Sequence, residues 1–305
     1  MTASRKVAIE PSVLQAFTDA VKKAGGEVAR LDHSVEALVW TDYHQPELLR
    51  KTLDENPQLK WVQLPFAGVD AFADILKRPI TFTSAKGAYR EPVAEHALAL
   101  TLALCRAIPM RIRSKSWGEK FAVSLYESRV LVLGAGGITD ELLRLLKPFG
   151  CEVAVVRNQP QNVAGATSTH GFAELDDQLA QADVVILALA LTDTTRGLFD
   201  LARFKKMKPT AYLVNIARGG HVVTEDLIAA LEQGLIAGAG VDVTDPEPLP
   251  DGHPLWHAPN IIITPHTADT PAQVTRMFAA RIGENVAAYL AGEPFVGEVD
   301  PILGY

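Results

Sequence analysis

The 305-residue sequence predicts an α/β protein made of two domains, each a doubly wound parallel sheet covered by helices. Three observations carry that reading. Short apolar runs alternate with helix-period segments along most of the chain, the alternation restarts after one long apolar segment, and the length exceeds the roughly 100–200 residues of a single domain.

Val7–Ile9 opens the first series as a strand, and Val13, Leu14, Phe17 and Val21 follow on one helical face. Runs at Glu27–Leu31, Ala37–Trp40 and Lys60–Leu64 continue it, with a helix carrying Leu48, Leu49 and Leu53 between the last two. Pro92 sits where a helix starts, and Val93–Cys105 is almost wholly apolar, so a buried helix joining the domains is predicted there. Strands at Arg129–Leu133, Cys151–Val156, Asp183–Leu189, Ala211–Ile216, Gly238–Val243 and Ile261–Thr264 form the second series. A final helical pattern over Pro271–Leu290 carries Val274, Met277, Phe278, Ile282 and Val286 at helical spacing. It follows a completed second domain and is expected to return to the first. The predicted division is residues 1–91 with 270–305, and residues 92–269.

Composition excludes several classes of function. A hydrophobic share of 48% and a charged share of 21% are those of a folded globular protein. The net charge of −7 argues against a broad grip on nucleic acid, which needs a basic face. Val7–Ile9 is too short for a signal-peptide core, and no apolar run reaches the roughly 20 residues that span a bilayer, so a cytoplasmic protein without a membrane role is expected. Cys105 and Cys151 lie in apolar stretches without CxxC spacing and read as reduced thiols. His253 and His257 stand four apart, but Pro254 between them and the lack of an adjoining acid argue against a metal site.

The strand Val130–Leu133 runs into Gly134-Ala135-Gly136-Gly137-Ile138-Thr139 and then a leucine-rich helix. This context fits a dinucleotide-binding turn: Gly134 permits the tight bend, Gly136 lets the backbone approach a pyrophosphate, and the helix start at Gly137 and Ile138 offers unpaired N–H groups. Thr139 stands where a third glycine is usual, so helix and strand must accommodate a larger side chain. After the next strand, where a carboxylate would hold a ribose hydroxyl, the sequence has Arg157-Asn158. A carboxylate there would repel a 2′-phosphate, whereas Arg157, helped by Asn158, can bind one, so NADP is expected over NAD.

Arg218, Glu247 and His266 lie in three separate pieces, Ala217-Arg218-Gly219-Gly220, Asp245-Pro246-Glu247-Pro248 and Thr264-Pro265-His266. A cation that grips a carboxylate, an acid that tunes an imidazole and an imidazole that exchanges a proton are the set needed to interconvert a 2-keto acid and a 2-hydroxy acid. Asp245 competes with Glu247 for the acidic role.

From about residue 60 to residue 267 these pieces, with Phe66-Ala67-Gly68-Val69-Asp70, Val93-Ala94-Glu95-His96 and Asp242-Val243, resemble the D-isomer-specific 2-hydroxyacid dehydrogenases. The stretch Ala37–Trp40 is similar to one in their short glyoxylate/hydroxypyruvate reductases, which typically use NADPH. The resemblance implies a Rossmann-type cofactor domain and a smaller flavodoxin-like substrate domain. It makes Arg218 the substrate-carboxylate ligand, His266 the proton donor and Glu247 its partner. It gives Asp242 the nicotinamide amide, the Ala67 and Gly68 backbone the substrate carboxylate, and Trp40 a wall on the substrate side. It also implies a homodimer acting on a small 2-keto or 2-hydroxy acid. Two departures stand out, Thr139 and Ala190, the latter where the family commonly has proline in a loop against the cofactor. A 3-phosphoglycerate dehydrogenase, using Arg90 or Lys86 for the phosphate, and a nucleotide-sensing binding protein of the same fold are the alternatives.

Overall fold

A computed structural model describes residues 6–301. In chain order the elements are β1 (Lys6–Glu10), α1 (Gln15–Lys23), β2 (Glu27–Val28), β3 (Ala37–Trp40), α2 (Pro46–Glu55), β4 (Trp61–Gln63), β5 (Thr81–Thr83), α3 (Arg90–Cys105) and α4 (Ile108–Arg113). There follow β6 (Arg129–Leu133), α5 (Gly137–Leu146), β7 (Glu152–Val156), β8 (Ser168–His170), α6 (Leu175–Leu179), β9 (Val184–Leu187), α7 (Leu201–Phe204), β10 (Tyr212–Asn215), α8 (Thr224–Glu232), β11 (Gly238–Val241), β12 (Ile261–Ile263) and α9 (Pro271–Ala291). The chain folds into two compact units, one running up to Tyr89 and resuming at Thr270, the other spanning Arg90–Asp269.

The first unit holds a five-stranded parallel sheet in the order β2-β1-β3-β4-β5. Its strands are read as apolar runs because both faces are covered: every residue of β3 is buried. Helix α9 completes this unit from far along the chain. Phe278 meets Phe17 of α1 edge-on at 5.3 Å, Asn285 donates to the Gln63 side chain at 2.6 Å, and buried Arg281 donates to the carbonyls of Ser84 and Lys86 at 3.2 and 2.8 Å. The burial of Arg281 is tolerable because those carbonyls and Glu284, 3.0 Å away, satisfy its guanidinium.

The second unit holds a seven-stranded parallel sheet in the order β12-β11-β10-β9-β6-β7-β8. The chain runs outward from β6 to β8, then returns to β9 on the other side of β6. That reversal makes a crevice at the carboxyl ends of β6 and β9, where ligands of such sheets bind. Strand β11 reads Gly-Ala-Gly-Val because α3 crosses it closely: a Cβ on Gly240 would lie 3.2 Å from the Leu100 Cβ. Among the described residues no helix is long and apolar enough to cross a membrane.

Three expectations need correction. Helix α1 starts at Gln15, leaving Val13 and Leu14 60% and 44% exposed, so the buried stripe is Phe17 and Val21 alone. The run Glu27–Leu31 yields a strand of two residues. The sequence reading also misses β5 and β8. Both are sheet-edge strands of three residues, rich in threonine, serine and histidine and too short to show a period.

Candidate active site

The Gly134 turn joins β6 to α5. Gly134 has φ +109°, and a Cβ there would lie 2.2 Å from the Ala188 carbonyl oxygen, so neither its conformation nor its space admits a side chain. Open space surrounds Gly136, the N-cap of α5, and no side chain caps the helix. The first N–H groups of α5, from Gly137 and Ile138 onward, are thus left for an anion, which is what a dinucleotide pyrophosphate requires. Thr139 fits where glycine is usual: fully buried, it donates through Oγ1 to the Gly134 carbonyl at 2.9 Å and tightens the turn. The loop after β9 is braced without the proline absent at Ala190, since Thr195 Oγ1 donates to the Ala190 carbonyl at 2.9 Å. Arg157 follows β7, with its backbone N–H held by the His170 carbonyl at 3.0 Å and its side chain partly exposed. Asn158 beside it is exposed.

Arg218 leaves the carboxyl end of β10 on a turn that buried Asn215 organises. The Asn215 amide donates to the Arg218 carbonyl at 2.9 Å while its oxygen accepts the Ala217 N–H at 3.1 Å. Next to it, a Cβ on Gly219 would stand 2.0 Å from the Thr244 carbonyl carbon and oxygen, so this turn and the loop after β11 touch backbone to backbone. Thr224 adds a 2.6 Å hydrogen bond to the Asp245 carbonyl.

That loop delivers Glu247, whose Oε1 lies 2.6 Å from His266 Nδ1. Of the two competing acids, Glu247 is the one that meets the imidazole. The hydrogen bond to Glu247 raises the His266 pKa, against partial burial and the opposing charge of Arg218. Burial would raise the Glu247 carboxyl, but the bond and charge of His266 outweigh it and hold the carboxyl below its usual range. Both shifts favour imidazolium paired with carboxylate. Nδ1 is thus the ring nitrogen committed to Glu247. The 2.6 Å contact of Glu247 with His266 and the backbone contact of Gly219 with Thr244 bring three segments distant in sequence together.

His266 has φ +50°, a left-handed conformation that a non-glycine residue adopts only when its surroundings hold it there. Asp242 does the holding. Its carbonyl accepts the His266 N–H at 2.8 Å, and its carboxylate accepts the N–H groups of Thr267 and Ala268 at 2.9 and 3.0 Å and the Thr264 hydroxyl at 2.5 Å. Burial works to raise its pKa, but these donors and His96 prevail and keep it low. Asp242 is therefore first the anchor of the His266 turn, with little carboxylate capacity left for a nicotinamide amide. His96 and Thr264 were visible as motif residues, but no role could be read for them.

His221, fully buried just after Arg218, places Nδ1 3.0 Å from the Thr195 carbonyl and Nε2 3.2 Å from that of Leu189. Burial, together with Arg218 and Arg196, holds its pKa below the usual value despite those two acceptors.

In the first unit, Ala67 and Gly68 occupy a loop after β4, Ala67 exposed and Gly68 partly so. Trp40 does not wall a site. It is 0% exposed, packed in the core with Leu38, Leu49 and Phe72, and its indole N–H donates to the Asp42 carbonyl. A strand end covered on both faces leaves an aromatic ring no open side.

An open parallel sheet with a glycine turn at its reversal and an Arg, Glu and His set nearby defines a nicotinamide-dependent oxidoreductase acting on 2-keto and 2-hydroxy acids. The profile of the D-isomer specific 2-hydroxyacid dehydrogenase NAD binding domain matches residues 98–268, and the chain belongs to that family. It is 38% identical over 296 residues to an uncharacterized protein of Corynebacterium melassecola, covering 94% of this chain and 96% of the other. It is 34% identical over 252 residues to the glyoxylate reductase/hydroxypyruvate reductase of Homo sapiens, covering 79% and 77%. The crystal structure of a D-isomer specific 2-hydroxyacid dehydrogenase from Xanthobacter autotrophicus Py2, in complex with NADPH and MES, superposes with a TM-score of 0.86 at 31% identity, covering 99% of this chain and all of that one.

Proposed function

We propose that the protein reduces glyoxylate or hydroxypyruvate to the corresponding 2-hydroxy acid, of D configuration where the carbon is chiral, using NADPH. The observation that carries this reading is the 2.6 Å bond between His266 and Glu247, with His266 held toward its protonated form near Arg218. The bound dinucleotide supplies the hydride for the keto carbon. Arg218 pairs with the substrate carboxylate and draws charge from the keto oxygen, and His266 Nε2 gives that oxygen its proton. Glu247 steadies the imidazolium before transfer and keeps the ring in place after it. Arg157, beyond β7 with no carboxylate in its place, receives the 2′-phosphate and sets the preference for NADPH; the NADPH-bound relative supports that choice.

The second unit also exposes an apolar surface. A groove of about 360 Å³ is lined by Ile108, Ile112, Trp256 and Ile262 among others, and beside them in sequence Met110, Trp117 and Phe121 are 48%, 95% and 53% exposed. Such a surface on a folded domain calls for cover, and a second copy of the chain is the proposed occupant. Two free thiols, Cys105 with its pKa pushed up to about 11 by burial and Cys151 partly buried, fit a reducing cytoplasm.

The test follows NADPH absorbance with glyoxylate, hydroxypyruvate, pyruvate and 3-phosphohydroxypyruvate. Fastest turnover on the first two supports the proposal. Preference for the phosphorylated acid makes the protein a phosphoglycerate-type enzyme, and NADPH binding without turnover on any of the four makes it a nucleotide sensor.

A further inference from the structure

The motif Val93–His96 contributes a side chain that the reaction described above does not use. His96, on α3, places Nε2 2.9 Å from Thr264 Oγ1 and 3.3 Å from Asp242 Oδ1. Hydrogen-bond direction follows from what each group can do. A carboxylate only accepts, so the single proton of the Thr264 hydroxyl is spent on Asp242 Oδ1, 2.5 Å away. The hydroxyl oxygen then accepts, His96 must donate to it, and the ring carries its proton on Nε2. The chain runs His96 to Thr264 to Asp242, and it ends on a carboxylate that is 2% exposed.

From that carboxylate the connection continues to the catalytic turn. Asp242 holds the N–H groups of Thr267 and Ala268 through its side chain and that of His266 through its carbonyl, so one residue grips the turn on and just after its left-handed residue. If this grip loosens, the backbone at His266 is free to leave φ +50°, and the ring swings off Glu247. A misplacement of about 1 Å in such a group costs on the order of a hundredfold in rate.

We propose that His96 is a positioning residue for the reduction, acting through Thr264 and Asp242 to keep His266 on Glu247. It touches neither substrate nor the reacting atoms, and the inference rests on the assignment of His266 as proton donor. Four charged groups face the His266 ring: Glu247 and Asp242 favour its protonation, Arg218 opposes it, and Asp269, with its own pKa raised by burial, lies close enough to feel the imidazolium. Of these, Glu247 is the one whose contact depends on where the turn sits.

The test uses the full-length protein and four variants. H96L and T264V break the chain; H96Q, whose amide N–H reaches the place of Nε2, and T264S keep it. Two readouts are taken on each: the pH dependence of kcat, and the titration of the His266 ring followed by NMR, which needs no turnover. In H96L and T264V we expect kcat to fall by about tenfold to a hundredfold with KM for NADPH little changed. The alkaline limit of activity and the His266 titration should both move to lower pH, as the ring loses Glu247. H96Q and T264S should restore both. An unmoved His266 titration in H96L, or a displaced one that H96Q fails to restore, overturns the proposal. A wild-type protein that turns over no keto acid refutes the functional reading instead, and the NMR titration still decides whether His96 holds the turn.

Discussion

Replacing Gly219 with alanine probes the backbone contact that brings the Arg218 turn against the Glu247 loop. The new Cβ would begin 2.0 Å from the Thr244 carbonyl carbon and oxygen, whereas ordinary contact begins at 3.4 Å, so the two segments must part by about 1.4 Å. Backbone stands on both sides, so no flexible side chain can give way. Thr244 is three residues from Glu247 and donates its N–H to that carboxylate at 3.4 Å, so the displacement carries into the acid. A shift of that size takes the 2.6 Å bond to His266 out of hydrogen-bond range. At about a hundredfold per ångström of misplacement, kcat for keto acid reduction should fall by at least 10²-fold. NADPH affinity, which the proposed function assigns to the Gly134 turn, should change little. Steady-state kinetics with glyoxylate, fluorescence titration of NADPH and a thermal melt measure the three quantities. A folded G219A protein with wild-type kcat refutes the claim that this contact sets the geometry of the pair.

Replacing His266 with alanine should lower kcat by about 10²–10⁴-fold, the usual contribution of a general acid, with NADPH affinity unchanged; near-normal turnover would remove its role. Replacing Arg157 with alanine should cut the ratio of NADPH to NADH efficiency at least tenfold, and an unchanged ratio assigns the 2′-phosphate elsewhere. His221 makes stability depend on acid. Its folded pKa lies below the unfolded value of 6.5, so its contribution is complete above pH 6.5 and is lost as pH falls through the folded pKa, at up to about 1.4 kcal/mol per pH unit. Urea unfolding should show this decline, with a shallower one in H221Q; equal slopes would exclude His221 as its source. Replacing Ile112, 75% exposed in the lining of the apolar groove, with aspartate should convert the proposed dimer to monomers in sedimentation, and an unaltered oligomer places the interface elsewhere.

What could be read in advance follows from how local each feature is. The Gly134 turn is specified within six residues flanked by a strand and a helix, and the structure builds it with Thr139 adding a hydrogen bond where a clash was the concern. Glu247 over Asp245 was legible only through the family resemblance, since each acid precedes a proline, and Glu247 is the one that lies 2.6 Å from His266 Nδ1. Trp40 was ambiguous by nature, because a tryptophan ending an apolar strand reads alike whether its outer face meets a ligand or another core residue. The role of His96 was out of reach: residues 96, 242 and 264 meet only because α3, β11 and β12 are neighbours in the fold. Strands β5 and β8 escaped because three residues at a sheet edge, with Phe82 the only large apolar side chain among the six, are too few to show a hydrophobic period.

The late arrival of α9 bears on how the protein is made. Gln63 and Ser84 find Asn285 and Arg281 about 200 residues downstream, so the core of the first unit stays open while the whole of the second emerges from the ribosome. At roughly 5–20 residues per second that interval lasts on the order of 10–40 s. Of the two units, the one whose strands are translated earlier is thus sealed later, and its exposed apolar strands are what a nascent-chain chaperone would meet.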